Sequence, residues 1–180
     1  MTERFELGEG IELREWTSAD AEDAFAEIDQ NRDRLRDWLP WVDLTHSPED
    51  VRAFIERCAA SDGKERSFGI YVEGVLAGNI GLTLNDDNGA EIGYWITGVF
   101  EGRGLVTAAA RAMLRLGFEE RGLRRIQLTA ATENERSLAV ADRLGMVREG
   151  VLRRAGRIRE DRYVDLVMCS ILREEWPGSA

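Results

Sequence analysis

Lysine is almost absent from this chain of 180 residues: Lys64 stands alone, and nearly all positive charge is arginine. Histidine and cysteine are as scarce, with His46 beside Pro48 and only Cys58 and Cys169, far apart in the chain. No pair among them has metal-ligand spacing, so no metal site is expected. Neither cysteine has a histidine placed by motif to activate it, which argues against a covalent thiol intermediate. No run approaches the roughly 20 apolar residues that cross a bilayer. The start, Met1-Thr2-Glu3-Arg4-Phe5-Glu6, lacks the basic, apolar, small-residue order of a secretion signal. A cytoplasmic protein with reduced thiols is expected, with no membrane partner. Positive charge is also in deficit: the net charge of −10 repels nucleic acid and favours cationic partners.

What is present reads as ordinary globular sequence, 43% hydrophobic and 32% charged. No repeat, low-complexity tract or proline-rich linker interrupts it between residues 10 and 172. The length suits one domain over 1–180, with a core at about 10–172 and short flexible termini. Ile11 to Arg14 alternates as a strand, and Thr17 to Asp20 opens a helix carrying Ala21, Ala24, Phe25 and Ile28. Helical pattern continues from Arg32 to Leu39 and stops at Pro40. Ser47 and Pro48 begin another helix, with Val51, Phe54, Ile55 and Cys58 on one face. Ser67 to Val72 and Val75 to Leu84 are β-rich runs joined at Glu73-Gly74, and Ala90 to Thr97 is a third, so an antiparallel meander is expected. Next come a helix after Gly104, a strand over Ile126 to Ala130, a short helix capped by Asn134, and strands over Met146 to Leu152 and Tyr163 to Leu172. This order predicts an α+β fold in three layers, a mixed, mostly antiparallel sheet of about six to seven strands flanked by helices.

The most informative stretch joins Glu91-Ile92-Gly93-Tyr94-Trp95-Ile96 to Glu101-Gly102-Arg103-Gly104-Leu105-Val106-Thr107. A strand enters a glycine-rich turn that opens a helix. The glycines let successive N–H groups point into one concavity, and the helix adds the positive end of its dipole, so a phosphate or pyrophosphate fits there. A dinucleotide fold is disfavoured, because a meander precedes the turn and Thr107 stands where that fingerprint has its third glycine.

These residues resemble the GNAT superfamily of acyl-CoA N-acyltransferases, and its RimJ/RimL-like branch of ribosomal-protein N-terminal acetyltransferases. The resemblance spans nearly the whole chain. It is carried by Arg36-Asp37-Trp38-Leu39-Pro40-Trp41-Val42, the Glu91-to-Ile96 strand, the Gly102-Arg103-Gly104 turn, Glu133-Asn134-Glu135-Arg136-Ser137-Leu138, and Arg143-Leu144-Gly145-Met146. It implies that the pyrophosphate of acetyl-CoA lies on the amides of residues 102 to 107 (Gly102, Arg103, Gly104, Leu105, Val106, Thr107). The pantetheine arm would run along the edge of the strand at Trp95, Ile96 and Thr97, and a homodimer is possible. The superfamily's loop usually begins with Gln or Arg and ends with Gly or Ala, where this chain has Glu101 and Val106. Glu101 is expected to face away from the phosphates or to pair with Arg103. The branch's glutamate in the loop after the sixth strand has no counterpart at Arg154-Ala155-Gly156-Arg157.

Acetyl transfer to an amine needs a neutral nucleophile, a polarised thioester and a protonated leaving thiolate. At pH 7 roughly one N-terminal amine in seven is neutral, against about one lysine in 2,500. A weak base therefore suffices for the first. Glu91 is the candidate base, since strand alternation puts it on one face with Gly93, whose lack of side chain leaves room for a ligand. The equal alternative is a solvated or arginine-paired glutamate. Ser137, one turn after Asn134, is the candidate acid, supported by the branch resemblance. Asn134 caps that helix, with a contact to the cofactor as a second possibility. Trp38, Trp41 and Tyr94 are candidates for lining the acceptor cleft, with core packing as the competing explanation. The expected function is transfer of acetyl from acetyl-CoA to a protein N-terminal amine by direct attack. A small amine such as an antibiotic, polyamine or amino sugar, or a non-catalytic acyl-CoA-binding module, is the alternative.

Overall fold

A computed structural model describes residues 2–160 and 162–178. In chain order the elements are β1 (Arg4–Gly8), β2 (Ile11–Glu15), α1 (Ala21–Gln30), α2 (Arg32–Leu35), α3 (Pro48–Ala60), β3 (Glu65–Val72), β4 (Val75–Leu84), β5 (Gly89–Ile96), α4 (Leu105–Arg115), β6 (Arg125–Ala131), α5 (Glu135–Arg143), β7 (Val147–Arg157) and β8 (Tyr163–Leu172). The strands form one eight-stranded sheet in the order β1-β2-β3-β4-β5-β6-β8-β7. Every pairing is antiparallel except β5 with β6.

The α+β architecture is as expected, but the sheet has one strand more than the six to seven anticipated. The extra strand is β1, so strand structure begins at Arg4 rather than near residue 10. β1 was obscured because Gly8-Glu9-Gly10 separates it from β2 by a turn with φ of 85°, 52° and 71°. It earns its place through Phe5, which is buried and meets the Phe68 ring edge-on at 5.6 Å. At the other end, Trp176 lies against Phe118 with ring centres 6.2 Å apart. The helix expected over Arg32 to Leu39 is also shorter. α2 stops at Leu35 and a 3₁₀ turn spans Pro40–Leu44. Arg32 explains the fold-back: its guanidinium donates to the carbonyls of Val42 and Thr45 at 2.6 and 2.8 Å, drawing the chain across the start of α2.

Alternation along β5 assigns the two sheet faces. Ala90, Ile92, Tyr94 and Ile96 pack with Leu105, Ala109 and Met113 of α4, whereas Trp95 packs with Ala24 and Ile28 of α1 and Val51 and Ile55 of α3. Burying apolar side chains on both faces is the main driving force, worth about 1.5–3 kcal/mol for each large one fully removed from water. α3 starts behind Pro48, with the Asp50 carboxylate accepting the Ser47 N–H at 3.0 Å and the Ser47 hydroxyl at 3.2 Å. The β3–β4 hairpin turns at Glu73-Gly74 with φ of 49° and 81°, the left-handed pair that a two-residue turn requires.

One irregularity positions everything that follows. β5 and β6 pair only at Gly89 with Arg125, Ala90 with Ile126 and Glu91 with Gln127, after which they part. Parallel strands that diverge open a wedge at their C-terminal ends. Along Ile92 to Ile96, β5 therefore has a strand neighbour only on the β4 side. The turn into α4 leaves the end of β5 and the turn into α5 leaves the end of β6, so connectivity alone sets both turns at the wedge's mouth.

Candidate active site

The first wall of the wedge is the turn from β5 to α4. Gly102 and Gly104 have φ of 72° and 76°, and a Cβ added at either would meet no atom within 4 Å, so backbone conformation demands glycine while the space before it is open. Gly104 is the residue preceding α4, and no side chain caps that helix. Its first-turn amides are left to a ligand, with the helix dipole behind them. Arg103 stands exposed with its guanidinium 5.1 Å from the centre of the Phe100 ring. Leu105 is buried and Val106 packs against the core, so these two offer only their backbone to the concavity. At the end of β5, Thr97 is 1% exposed and its hydroxyl has no hydrogen-bond partner, an orphaned polar group beside the cradle.

Glu101 neither faces water alone nor pairs with Arg103. Its carboxylate is gripped by Arg34, at the end of α2, and Arg136, in α5. Two guanidiniums on one carboxylate leave a net positive cluster beside the cradle, which removes the electrostatic objection to a glutamate there. The loop is tied again by Asn31, whose Oδ1 accepts the Gly98 N–H at 3.0 Å.

Glu91 lies at the apex of the wedge, in the last paired position before the strands part. Its two carboxylate oxygens accept hydrogen bonds from Thr129 Oγ1 at 2.7 Å and Gln127 Nε2 at 3.2 Å. Both donors are neutral, and among the described residues no arginine pairs with Glu91. Gly93, next on the same face, is exposed and has open space where a side chain would stand.

On the opposite sheet face, Ser137 Oγ meets Tyr94 Oη at 2.5 Å. Asn134 Oδ1 accepts the Ser137 N–H at 3.1 Å, capping α5 and fixing the turn that presents the serine. Tyr94, anticipated as an acceptor-cleft residue, packs on the α4 face and partners Ser137. Burial pushes its phenol above the usual value near 10, so it stays protonated at neutral pH. The two tryptophans separate. Trp38 packs on Ala131, Ile158 and Val164, where the β7–β8 connection meets the α2 region, and Arg159 binds Asp37 beside it at 2.8 Å. Trp41 packs with the α1 and α3 core, as does the Trp95 side chain, which tilts against Trp16 with ring centres 6.4 Å apart. Trp41 is only partly buried there, whereas the Trp95 side chain is buried and leaves its backbone to the strand edge.

The cysteines offer no nucleophile: burial raises the Cys58 thiol to about 11 and also raises Cys169. Among the described residues no cluster of three or more His, Cys, Asp or Glu is placed to hold a metal, and no helix is long and apolar enough to cross a membrane. Sequence reasoning missed Gln127, Thr129, Arg34 and Arg136. Alternation along β6 marks Gln127 and Thr129 as sharing a face, but only the register brings them to Glu91.

A splayed parallel strand pair whose first strand runs into an open glycine cradle, with a carboxylate at the apex and a hydroxyl pair on the far face, defines a CoA-dependent acyltransferase. Residues 11–147 match the family model described as Acetyltransferase (GNAT) domain. The chain belongs to that family and is an acetyl-CoA-dependent N-acetyltransferase. It is 37% identical over 179 residues, covering 96% of each chain, to YdaF of Bacillus subtilis (strain 168), provisionally named a ribosomal N-acetyltransferase. It is 28% identical over 170 residues to the ribosomal-protein-serine acetyltransferase of Escherichia coli (strain K12), covering 92% of this chain and 94% of that one. Among solved structures, the microcin C7 self-immunity acetyltransferase MccE in complex with acetyl-CoA and AMP superposes with a TM-score of 0.85 at 26% identity, covering 92% of this chain and 94% of that one.

Proposed function

We propose that the acceptor is the α-amine of a protein N terminus, a ribosomal protein being the first to try, and that Glu91 and the Tyr94–Ser137 pair act from opposite faces of the wedge. The observation that carries this reading is the Glu91 carboxylate at the apex, held by Thr129 and Gln127 without a cation. A carboxylate held only by neutral donors can attract an ammonium and accept one proton from it. That is enough for an α-amine, whose ordinary pKa near ~7.8 already leaves an appreciable neutral fraction. The relatives named for ribosomal substrates supply the choice of a protein acceptor.

The open cradle, the uncapped start of α4 and the orphaned Thr97 hydroxyl fit acetyl-CoA. The amides of residues 102 to 107 would hold its pyrophosphate, and the free edge of β5 from Trp95 to Thr97 its pantetheine arm. When bound, acetyl-CoA supplies an activated thioester. Glu91 accepts the proton of the incoming amine, directly or through one water. Of the two hydroxyl hydrogens of Tyr94 and Ser137, one lies in the bond between them and the other is donated to the departing sulfur from the other side, after which the pair regains a proton from solvent. Burial keeps that proton on the pair through neutral pH. No side chain forms a covalent intermediate, in keeping with two raised thiols.

Thiol release from acetyl-CoA tests the acceptor. A peptide with a free N terminus should release one thiol per acetyl gained, and the same peptide blocked at its N terminus but carrying lysine should release none. Turnover of small amines with no turnover of free-amine peptides would favour a small-molecule acceptor, the second reading that the likeness to MccE supports.

A further inference from the structure

β7 is the outermost strand of the sheet, and it is unusually bare. Every residue from Val147 to Ala155 is exposed. Val147 and Val151 are each 53% exposed, Leu152 44%, and Tyr163, where β8 begins, 46%. Other arginines nearby are neutralised: Arg125 by Glu149, Arg148 by Asp142, Arg159 by Asp37. Among the described residues the guanidiniums of Arg153, Arg154 and Arg157 have no carboxylate partner, although the Arg154 backbone N–H donates to Asp165 Oδ1 at 2.7 Å. The guanidiniums of Arg154 and Arg157 instead sit 5.5 and 6.0 Å from the centre of the Tyr163 ring. The result is a strip of concentrated positive charge, edged with apolar side chains, on a molecule of net charge −10.

The register places this strip relative to Glu91. Thr129, which holds Glu91, stands opposite Met168 of β8, and Met168 stands opposite Gly150 of β7. Leu152, two residues on, is level with Leu166 and Ala131. Arg153 to Arg157 lie further in the same direction, toward the mouth of the wedge. From Glu91 on β5, three strand spacings sideways to β7 and several residues along amount to roughly 22–27 Å, which an extended peptide covers in about seven residues.

We propose that the β7 edge, through Arg153, Arg154 and Arg157, holds an acidic stretch of the acceptor protein about seven residues after the amine that is acetylated. This rests on the reading that the acceptor is a protein N terminus. The charge selects the occupant. A second copy pairing along the same strand would bring three unpartnered arginines against three more. A nucleic acid would look for an aromatic stacking platform, and the guanidiniums of Arg154 and Arg157 already lie over the Tyr163 ring. An acidic peptide meets complementary charge and a row of free backbone groups.

The test compares two peptides with the same first six or so residues, one continuing with glutamates and aspartates and the other with serines and glutamines. Exposed ion pairs are individually weak, so at low salt the acidic peptide should lead by about tenfold in kcat/KM, through KM, and the lead should vanish near ~0.5 M salt. In the variant Arg153→Gln with Arg157→Gln the ratio should fall toward one, with thermal melting confirming the fold. The salt dependence needs no variant at all. Equal kcat/KM for the two peptides would overturn the proposal, as would a preference that survives the double substitution. Self-association of the variant with an unchanged peptide ratio would also overturn it, reducing the arginines to protection of an edge strand. Stronger competition by single-stranded RNA than by polyglutamate would transfer the surface to another partner. If neither peptide is acetylated while small amines are, the N-terminal reading itself fails and this inference falls with it.

Discussion

Two helices begin at the mouth of the wedge, and they begin in opposite ways. α4 starts at Gly104, left-handed and uncapped, with open space before its amides. α5 starts at Asn134, whose side chain closes its first turn on the Ser137 N–H. An open helix start can bind an anion, while a closed one has satisfied its own backbone and instead holds a side chain still. The difference suggests a division of labour: α4 binds the cofactor, α5 positions a hydroxyl. Between them the Glu101 carboxylate, gripped by Arg34 and by Arg136 of α5, links the cradle to both α2 and α5.

The largest effect that would sharpen this contrast is expected on turnover. Tyr94→Phe combined with Ser137→Ala should lower kcat by about 10²-fold or more, as loss of a general acid does, with CoA affinity held within a few-fold. Equal losses in affinity and turnover would place the pair in cofactor binding. Glu91→Gln should show a similar fall in kcat/KM for a free-amine peptide, again with little change in CoA affinity.

Next comes the open start. Gly104→Ala forces a Cβ into left-handed backbone, a cost of about 1–2 kcal/mol, and disturbs the amides that face the ligand. CoA binding measured by calorimetry should weaken about tenfold or more. Asn134→Ala, at the closed start, should cost about 1 kcal/mol of stability, a fall in Tm of about 2–4 °C, and leave CoA affinity within about twofold. If the two substitutions changed CoA affinity alike, the proposed contrast would be lost.

The smallest effect is on the pH profile. kcat/KM should rise as the acceptor's α-amine loses its proton near its ordinary ~7.8. Because burial raises the Tyr94 phenol, its protonated form persists below the usual value near 10 and is lost only as pH climbs past it. No alkaline fall traceable to Tyr94 should therefore appear below about pH 10, and one that Tyr94→Phe abolished would contradict this environment.

These regions were unequally legible in the sequence. The cradle was readable because a strand, two glycines and an apolar helical repeat are contiguous, and local geometry then implies an anion site. β1 was not readable, since its evidence is the burial of Phe5 against Phe68 across the sheet. The Tyr94–Ser137 contact joins residues 43 apart in the chain, and the Glu101 contacts with Arg34 and Arg136 span 67 and 35. Such pairings follow from register and from where the wedge opens. The tryptophans near Pro40 show the converse: two alike in sequence diverge because the chain folds back between them, sending Trp38 toward Ile158 and Trp41 into the core.

The most direct measurement is a crystal structure of the complex with CoA. The account expects the pyrophosphate on the amides of residues 102 to 107, the pantetheine along the free edge of β5, and the sulfur within about 4 Å of the Tyr94 or Ser137 hydroxyl, opposite Glu91. CoA bound away from the Gly102–Gly104 turn, or a sulfur on the Glu91 face and out of reach of both hydroxyls, would contradict it.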